Sequence, residues 1–392
     1  MKPRRYQLSK DATAIATGRG GRGHPWIFRE QLSSAASVFR DGDWLRLVDG
    51  ANQVVGHGIF EAEGAIAIRV VRRGPERPDA RWLAAQLQGA IDRRALLAAR
   101  TDGIRLVQGE SDGIPAVVVD RFGDTLVATS YSAGADALAR YAAHVLGTAV
   151  TGAVTTQFAA VVSRPARRRV ASSQPARTLR GTAPAVARFT EDGLPFAVDL
   201  DAGQKTGTYL DLRGLRHAVA TAPLAGARVL NLFAYSGMLG RAAEAAGATA
   251  ITQVDVSERA LAFAREHHVV DPARHTFVVA DVFDWLPALA ADAIFDLVIV
   301  DPPAMTSRKE QVPAVLAGYR KLYRAAAPHV RPGGVLVAAC CTSRIERAVF
   351  HRTVRETLGD GFGLERELPP ELDHPVGFPQ ADYLKIGWWR RR

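Results

Sequence analysis

Residues that could do chemistry follow two apolar runs in the C-terminal half of the chain. Asp301-Pro302-Pro303 comes directly after residues 297–300, and Cys340-Cys341 comes directly after residues 335–339. Two consecutive prolines fix the backbone, so the Asp301 carboxylate should project rigidly from its strand end. A cysteine thiolate that adds to carbon 6 of a pyrimidine makes carbon 5 able to attack a methyl donor. With Asp301 balancing charge on the ring, this pairing favours methylation at pyrimidine carbon 5.

The two cysteines leave the choice of nucleophile open. Side chains alternate along a strand, so the two thiols should point to opposite faces and only one can react. Cys341 lies nearer the strand end and is the predicted nucleophile, whereas Cys340 and Cys341 could also both be small buried apolar residues. Adjacent cysteines rarely form a disulfide, so we expect a reducing, cytoplasmic setting.

Two further functions fit the same residues. An enzyme that methylates a nitrogen or carbon of guanine would use Asp301 without a thiol adduct. An RNA-binding assembly factor could keep the fold without catalysis. Ala304-Met305 stands where enzymes that methylate exocyclic amines place an aromatic ring after Asp-Pro-Pro, so amine methylation is disfavoured.

Strands and helices alternate after Phe196, which is typical of a doubly wound parallel sheet. Ligands bind such sheets at the carboxyl ends of the strands. Strands are predicted at residues 227–231, 250–255, 276–280, 297–300 and 335–339.

The ends of the first three of these strands predict a nucleoside site. The first ends in the turn 231–240, which has glycines but lacks the Gly-x-Gly-x-x-Gly spacing that binds a pyrophosphate. Asp255 could accept hydrogen bonds from both ribose hydroxyls, and Asp281 could accept one from an adenine amino group. Val282 or Phe283 could pack on the adenine ring. S-adenosylmethionine is a nucleoside cofactor that has no pyrophosphate, so it is the predicted cofactor. No metal is expected.

Composition suggests a multidomain globular protein with a polyanionic partner. The 392 residues are 47% hydrophobic and carry a formal net charge of +10, which favours RNA as partner. An Arg-rich composition without functional meaning explains the charge equally well. The N-terminus has no apolar segment behind its basic residues, and no long uncharged apolar run occurs, so secretion and membrane insertion are not expected.

The N-terminal half predicts further elements. Short strands are expected at residues 44–48 and 65–71, a helix from Pro78 to about Leu97, and a strand at residues 116–120. Seven arginines and no acidic residue lie between Arg164 and Arg188, which predicts a long basic loop that grips RNA or is merely solvated. Aromatic and basic residues that could meet bases and phosphates, or simply form surface and core, open the chain: Arg19, Arg22, His24, Trp26, Phe28 and Arg29.

The chain resembles the bacterial large-subunit ribosomal RNA cytosine-C5 methyltransferases of the RlmI type over nearly its whole length. The segment from Gly203 to Asp211 is the most specific of the shared motifs. The others are Gly23–Phe28, Gly109–Pro115, Asn231–Gly237, Asp281–Phe283, Asp301–Pro303 and Asp373–Pro375. The chain departs from the family pattern at Met238, at Ala304-Met305 and at His267-His268.

The resemblance implies a fold, a reaction and a set of site residues. The fold is α/β, with a PUA-like β domain at residues 1–74, a central α+β domain with the basic loop at 75–192, joined by a long β-hairpin, and a Rossmann-like methyltransferase domain at 193–392. The reaction is formation of 5-methylcytosine in ribosomal RNA, with Cys341 as nucleophile and Asp301 beside it, and family members often form homodimers. The implied S-adenosylmethionine contacts are Lys205, Tyr209, Asn231, Phe233, Tyr235, Ser236, Gly237, Asp255, Ser257, Asp281, Val282 and Asp301.

Overall fold

The computed structural model describes residues 3–19, 23–32, 38–148, 158–165, 177–201, 206–306 and 308–392. The chain divides into two compact units. The first unit comprises Met1–Gly193, Val198–Thr208 and Leu372–Phe378, and the second comprises Leu194–Ala197, Tyr209–Glu371 and Pro379–Arg392. The domain bounds at residues 74 and 192 remain a prediction.

The first unit begins with a five-stranded sheet in the order β1-β3-β4-β5-β2. Alternating apolar residues such as Leu45 and Leu47 point into a core that α1 covers, and both predicted strands are confirmed. The elements are β1 (Arg4–Gln7), α1 (Lys10–Thr17), β2 (Trp26–Phe28), β3 (Trp44–Val48), β4 (Val54–Phe60) and β5 (Ile66–Arg73).

A second five-stranded sheet in the first unit has the order β10-β9-β8-β7-β6. Its elements are α2 (Ala80–Asp92), β6 (Gly103–Gln108), β7 (Val117–Phe122), β8 (Thr125–Ser130), α3 (Asp136–Thr148), β9 (Ala160–Pro165) and β10 (Arg177–Gly181). The predicted helix from Pro78 is confirmed but ends at Asp92, earlier than expected. Leu96, which we placed on its apolar face, lies beyond it and is 79% exposed.

The prediction of one long basic loop between Arg164 and Arg188 is wrong. Arg164 lies in β9, and β10 pairs antiparallel with β9 as the edge strand of the sheet. Most of β10 is exposed, so its arginines meet solvent while its backbone pairs, and edge strands commonly carry such charges because they discourage further pairing. Residues 166–176 lie outside the described part of the chain.

A two-stranded sheet is formed by β11 (Val186–Glu191) and β12 (Leu194–Asp199). The second unit has a seven-stranded sheet in the order β15-β14-β13-β16-β17-β19-β18. Its elements are α4 (Arg213–Ala220), β13 (Arg228–Leu232), α5 (Met238–Ala245), β14 (Ala250–Asp255), α6 (Glu258–His267), β15 (His275–Val279), α7 (Val282–Trp285), β16 (Phe295–Val300), α8 (Val312–Ala326), β17 (Val330–Cys340), α9 (Arg347–Leu358), β18 (Phe362–Leu368) and β19 (Lys385–Arg391).

The first five strands of this order are parallel, as the sequence predicts, and β19 and β18 add an antiparallel edge that was not predicted. Alternate residues of the central strands face two separate cores. Val298 and Leu336 pack toward α8 and α9, whereas Leu297 and Val337 pack toward α4 and α5. Helices therefore cover both faces, and the strand order reverses between β13 and β16, where open α/β sheets bind ligands. Within the described residues, no helix has the length and apolarity needed to span a membrane.

Buried charges join distant segments of the first unit. The Asp112 carboxylate accepts hydrogen bonds of 3.0 and 2.6 Å from Arg94, which is fully buried. Arg105 donates to both oxygens of Asp120, at 2.7 and 2.9 Å, and its backbone N–H donates to Asp373 at 3.0 Å. The Thr206 hydroxyl also donates to Asp120. Residues 206 and 373 are thereby fixed to the second sheet of the first unit.

Asp112→Ala should destabilise the first unit by about 3–5 kcal/mol, because it leaves the buried Arg94 guanidinium without its carboxylate. Glu76→Ala removes an exposed partner of Arg72 and should cost less than about 1 kcal/mol. Hydrogen exchange of the peptides covering β6 and β7 measures both. Equal protection in the two variants would contradict this account of the network.

Candidate active site

The turn after β13 has a strained backbone. Phe233 and Tyr235 adopt φ angles of 61° and 47°, and Gly237 adopts 74°. Positive φ is rare for residues other than glycine and costs of order 1 kcal/mol or more each, so it persists only where surrounding contacts enforce it. Strain of this kind clusters at ligand sites, and here it lies at the carboxyl end of the strand beside the reversal in strand order.

The Asp255 carboxylate enforces this turn. One oxygen accepts the backbone N–H of Tyr235 at 2.8 Å, and the other accepts the N–H of Ser257 at 2.8 Å. Ser257 in turn caps α6, because its hydroxyl accepts the N–H of Ala260 at 3.2 Å. A carboxylate offers about four acceptor positions, so two backbone bonds leave capacity for ribose hydroxyls. The predicted residues Tyr235, Asp255 and Ser257 therefore lie together.

Packing requires glycine at two positions, and one of them, Gly237, also has a positive φ. A Cβ on Gly237 would lie 2.6 Å from the Cβ of Ala264, and one on Gly240 would lie 2.4 Å from Oε1 of Gln253. The sequence suggested that glycine here lets a ligand approach the backbone. The structure shows that these two glycines admit α6 and the Gln253 side chain.

His268 supports the same turn and was not identified from the sequence. The ring is buried, with Nε2 2.9 Å from the backbone N of Ala197 and Nδ1 against the carbonyl of Ser236. A carbonyl only accepts and an N–H only donates, so the ring must be neutral with its proton on Nδ1. Burial lowers the pKa of His268 to about 4, which keeps it neutral.

The third strand end differs from expectation in one residue. Asp281 is exposed, and its carboxylate caps α7 by accepting the Phe283 N–H at 2.8 Å. The Val282 side chain is 2% exposed and packs in the core. It is therefore not available to pack on an adenine ring, although it is one of the two residues predicted to do so. Phe283 is half-buried, with its ring 6.0 Å from that of Phe233. Phe283 therefore presents a partly exposed apolar ring at the carboxyl edge of the sheet.

The predicted thiol lies beside the residue that follows Asp301. Sγ of Cys341 is 3.7 Å from the carbonyl oxygen of Pro302. Cys341 is half-buried, whereas Cys340 is fully buried in the core with α8 and α9. Cys340 ends β17 with its side chain in the core, whereas Cys341 follows the strand and is partly exposed. That Cys341 is the nucleophile stays a prediction.

Tyr209 completes this cluster. Its ring is 5.4 Å from that of Tyr235 in an edge-to-face arrangement. Burial, together with Tyr235, Asp301 and Cys341 nearby, raises the pKa of Tyr209 well above its usual value. Tyr209 therefore stays protonated and can donate a hydrogen bond beside Asp301. Lys205, predicted to lie nearby, falls outside the described residues.

The donor set fits S-adenosylmethionine. Carboxylates at neighbouring strand ends suit ribose and amine donors, and the turn between them offers backbone groups. Oδ1 of Asn231 is buried and has no hydrogen-bond partner among the described residues, so the first strand end also has an unused acceptor. Groups of His, Cys, Asp and Glu able to hold a metal are absent from the described part of the chain.

The aromatic residues near the N-terminus pack against one another. Trp26 lies 5.4 Å from the ring of His24 and 4.9 Å from that of Phe378, and its indole N–H donates to Glu110 at 2.7 Å. Arg29 donates to the carbonyl of Glu61 at 2.7 Å. These side chains hold the first unit together. Arg22 lies outside the described residues.

Comparisons with known proteins agree with this architecture. Residues 126–384 match the family of S-adenosylmethionine-dependent methyltransferases, and residues 16–73 match a PUA-like domain. A crystal structure of SMU.776 complexed with SAH superposes with a TM-score of 0.83 at 22% identity, covering 98% of this chain and 99% of that one. This likeness shows the fold.

Named relatives cover almost the whole chain. A ribosomal RNA large subunit methyltransferase of Deinococcus radiodurans is 32% identical over 93% of this chain and 92% of its own length. The ribosomal RNA large subunit methyltransferase I of Serratia proteamaculans is 31% identical over 93% of this chain and 94% of its own. The chain therefore belongs to the ribosomal RNA large subunit methyltransferase I family of S-adenosylmethionine-dependent methyltransferases, with a PUA-like domain near its N-terminus.

His268→Gln should flatten the dependence of stability on pH. The native pKa of about 4 lies below the roughly 6.5 of an unfolded histidine, so the unfolded chain binds more protons between these values. His268 therefore destabilises the fold as the pH falls through this window, by up to about 1.4 kcal/mol per pH unit, and has no such effect above it. The free energy of unfolding measured from pH 4 to 7 tests this.

The exposed His217→Gln provides the matched control and should leave the slope unchanged. A slope in His268→Gln identical to that of the unaltered chain would show that the buried imidazole does not carry the effect.

Proposed function

We propose that this chain methylates carbon 5 of a cytosine in large-subunit ribosomal RNA, using Cys341 as a covalent nucleophile. The observation that carries the proposal is the 3.7 Å approach of Cys341 Sγ to Pro302, the residue after Asp301. The names of the relatives supply the RNA substrate class. The net charge of +10 suits such a polyanion.

The residues of the site divide the reaction between them. The Cys341 thiolate forms a bond to C6 of the ring, and the electron pair of the C5=C6 bond moves to C5. S-adenosylmethionine, when bound, supplies the methyl group that C5 takes. Loss of the C5 proton to a base then expels the Cys341 thiolate and restores the ring. Methyl transfer would break the methyl–sulfur bond of the cofactor and leave S-adenosylhomocysteine. Charge balances over the cycle, because the thiolate that enters also leaves and the positive charge of the sulfonium departs as the C5 proton.

Asp301 acts on the ring and not on the methyl group in this proposal. A carboxyl group beside cytosine N3 can supply a hydrogen bond or proton when negative charge develops there. Tyr209, held protonated, is a second donor on the same side of the cluster. The half-buried setting excludes part of the solvent, which strengthens such hydrogen bonds. The proposed cofactor contacts are the turn from Asn231 to Gly237 with Asp255, Ser257 and Asp281.

Cys341→Ala should abolish methyl transfer, by more than about a thousandfold, while S-adenosylmethionine binding stays within a few-fold. Cys340→Ala is the matched control, since Cys340 lies in the core and should retain most activity. The measurements are tritium transfer from labelled cofactor to ribosomal RNA and calorimetric titration of the cofactor.

Activity retained by Cys341→Ala would favour the other reading, in which a guanine is methylated with Asp301 and no adduct. Failure of the unaltered chain to bind S-adenosylmethionine would instead favour an assembly factor. A homodimer and a cytoplasmic location remain predictions that agree with this function.

RNA binding should weaken steeply with salt. Neutralised phosphates release counterions, so a complex with six to ten phosphate contacts loses roughly 10³–10⁵ in affinity between 50 and 200 mM salt. Fluorescence anisotropy with a labelled rRNA fragment measures the slope. A nearly flat dependence would contradict recognition through phosphates.

A further inference from the structure

Lys385 is a buried lysine beside the cysteine pair. It begins β19, is directly opposite Cys340 in the β17–β19 register, and is completely buried. Its ammonium donates to the carbonyl of Thr342 at 2.9 Å and to that of Tyr383 at 3.0 Å. A buried ammonium is costly unless it has partners, so its presence in the buried part of β19, residues 385–389, calls for a role. Thr342 directly follows Cys341, so Lys385 holds the backbone that presents the thiol.

The residues before Lys385 are themselves fixed. Arg347 of α9 donates to the Asp382 carboxylate and to the carbonyl of Leu384, the latter at 2.9 Å. The Tyr383 hydroxyl donates to Asp211 at 2.6 Å. These hydrogen bonds hold the backbone segment that carries Lys385.

Titratable groups near Cys341 lie on several elements of the second unit. Asp301 follows β16, Tyr209 precedes α4, Tyr319 and Tyr323 lie on α8, and Cys340 and Lys385 lie on β17 and β19. Burial raises the pKa of both α8 tyrosines, so they stay neutral. In its ionised form Asp301 disfavours a thiolate, whereas the Lys385 ammonium favours one. Burial lowers the pKa of Lys385, and Cys340, Asp382 and Cys341 act in the opposite direction.

We propose that Lys385 is a positioning residue for the nucleophile, which fixes the turn at Thr342 and supplies the positive charge that favours the Cys341 thiolate. This inference rests on the proposed role of Cys341 in catalysis. When the thiol ionises, its proton passes to solvent and the ammonium remains beside the new negative charge. Lys385 then offsets the unfavourable effect of Asp301 on the same sulfur.

The test measures the thiolate directly and needs neither RNA nor methyl transfer. Iodoacetamide alkylates the thiolate and releases iodide, so the alkylation rate against pH reports the ionisation of Cys341. Mass spectrometry of the peptide assigns the label, and Cys341→Ser shows any contribution from Cys340. Three variants separate the roles. Lys385→Met removes charge and hydrogen bonds, Lys385→Gln keeps a donor without charge, and Lys385→Arg keeps the charge. Lys321→Met, an exposed change on α8, is the matched control.

Lys385→Met and Lys385→Gln should each lower the alkylation rate at pH 7.5 by about tenfold, equivalent to one unit in thiol pKa, and move the midpoint of the pH profile upward. Lys385→Arg should restore part of the rate, and Lys321→Met should change nothing. Should Lys385→Met fail to fold, Lys385→Gln decides the question. An unmoved midpoint in the neutral variants overturns the proposal, whatever their melting temperatures. If Cys341 has no catalytic role, Cys341→Ala will retain methylation. That result is separate from the alkylation rates of the Lys385 variants.

Discussion

The hydrogen bonds of the Asp255 carboxylate to two backbone N–H groups are the constraint on which the site depends. Through them the end of β14 holds the strained turn after β13 and the start of α6 in one arrangement. Without them, the positive φ angles of Phe233 and Tyr235 would have little to oppose relaxation. His268 secures the opposite side of the turn at Ser236, and its neutrality follows from burial. The conformation of this turn is therefore fixed by contacts within the protein.

A different feature, the pairing of three strands, brings the proposed reacting groups together. Parallel pairing of β16 and β17 brings the strand ends at Asp301 and Cys341 to one side of the sheet. Antiparallel pairing of β17 with β19 then places Lys385 against the same strand end. The doubly wound sheet alone would supply the carboxylate and the thiol. In the proposed arrangement the added antiparallel edge supplies the cation, which accounts for a lysine in the buried part of β19.

Much of this could be predicted from the sequence, because local patterns carry it. Apolar runs identified the five parallel strands, and chemically distinctive residues at their ends marked Asp255, Asp281, Asp301 and Cys341. The carboxyl ends of parallel strands share an edge, so their proximity followed. The opposite faces of Cys340 and Cys341 followed from alternation.

The rest depends on contacts distant in sequence. His268 and Lys385 gain their roles from backbone groups of Ser236 and Thr342, which no spacing reveals. The segment from Arg164 to Arg188 was predicted to be a loop because its charge does not indicate whether its backbone pairs at a sheet edge. Val282 was placed on the cofactor because its position beside Asp281 does not show that its side chain turns into the core. Thr206 and Asp373 contact the second sheet of the first unit through Asp120 and Arg105, and local sequence pattern does not reveal these contacts.

Covalent trapping tests the central claim most directly. An rRNA fragment carrying 5-fluorocytidine cannot lose a proton from C5 after methyl transfer, so the thiol adduct should persist. The account predicts a stable protein–RNA complex that forms only with S-adenosylmethionine and whose cross-linked peptide carries the nucleotide on Cys341. Complete methylation of unmodified rRNA by the same preparation without any trapped complex, or a nucleotide found on Cys340, would contradict it.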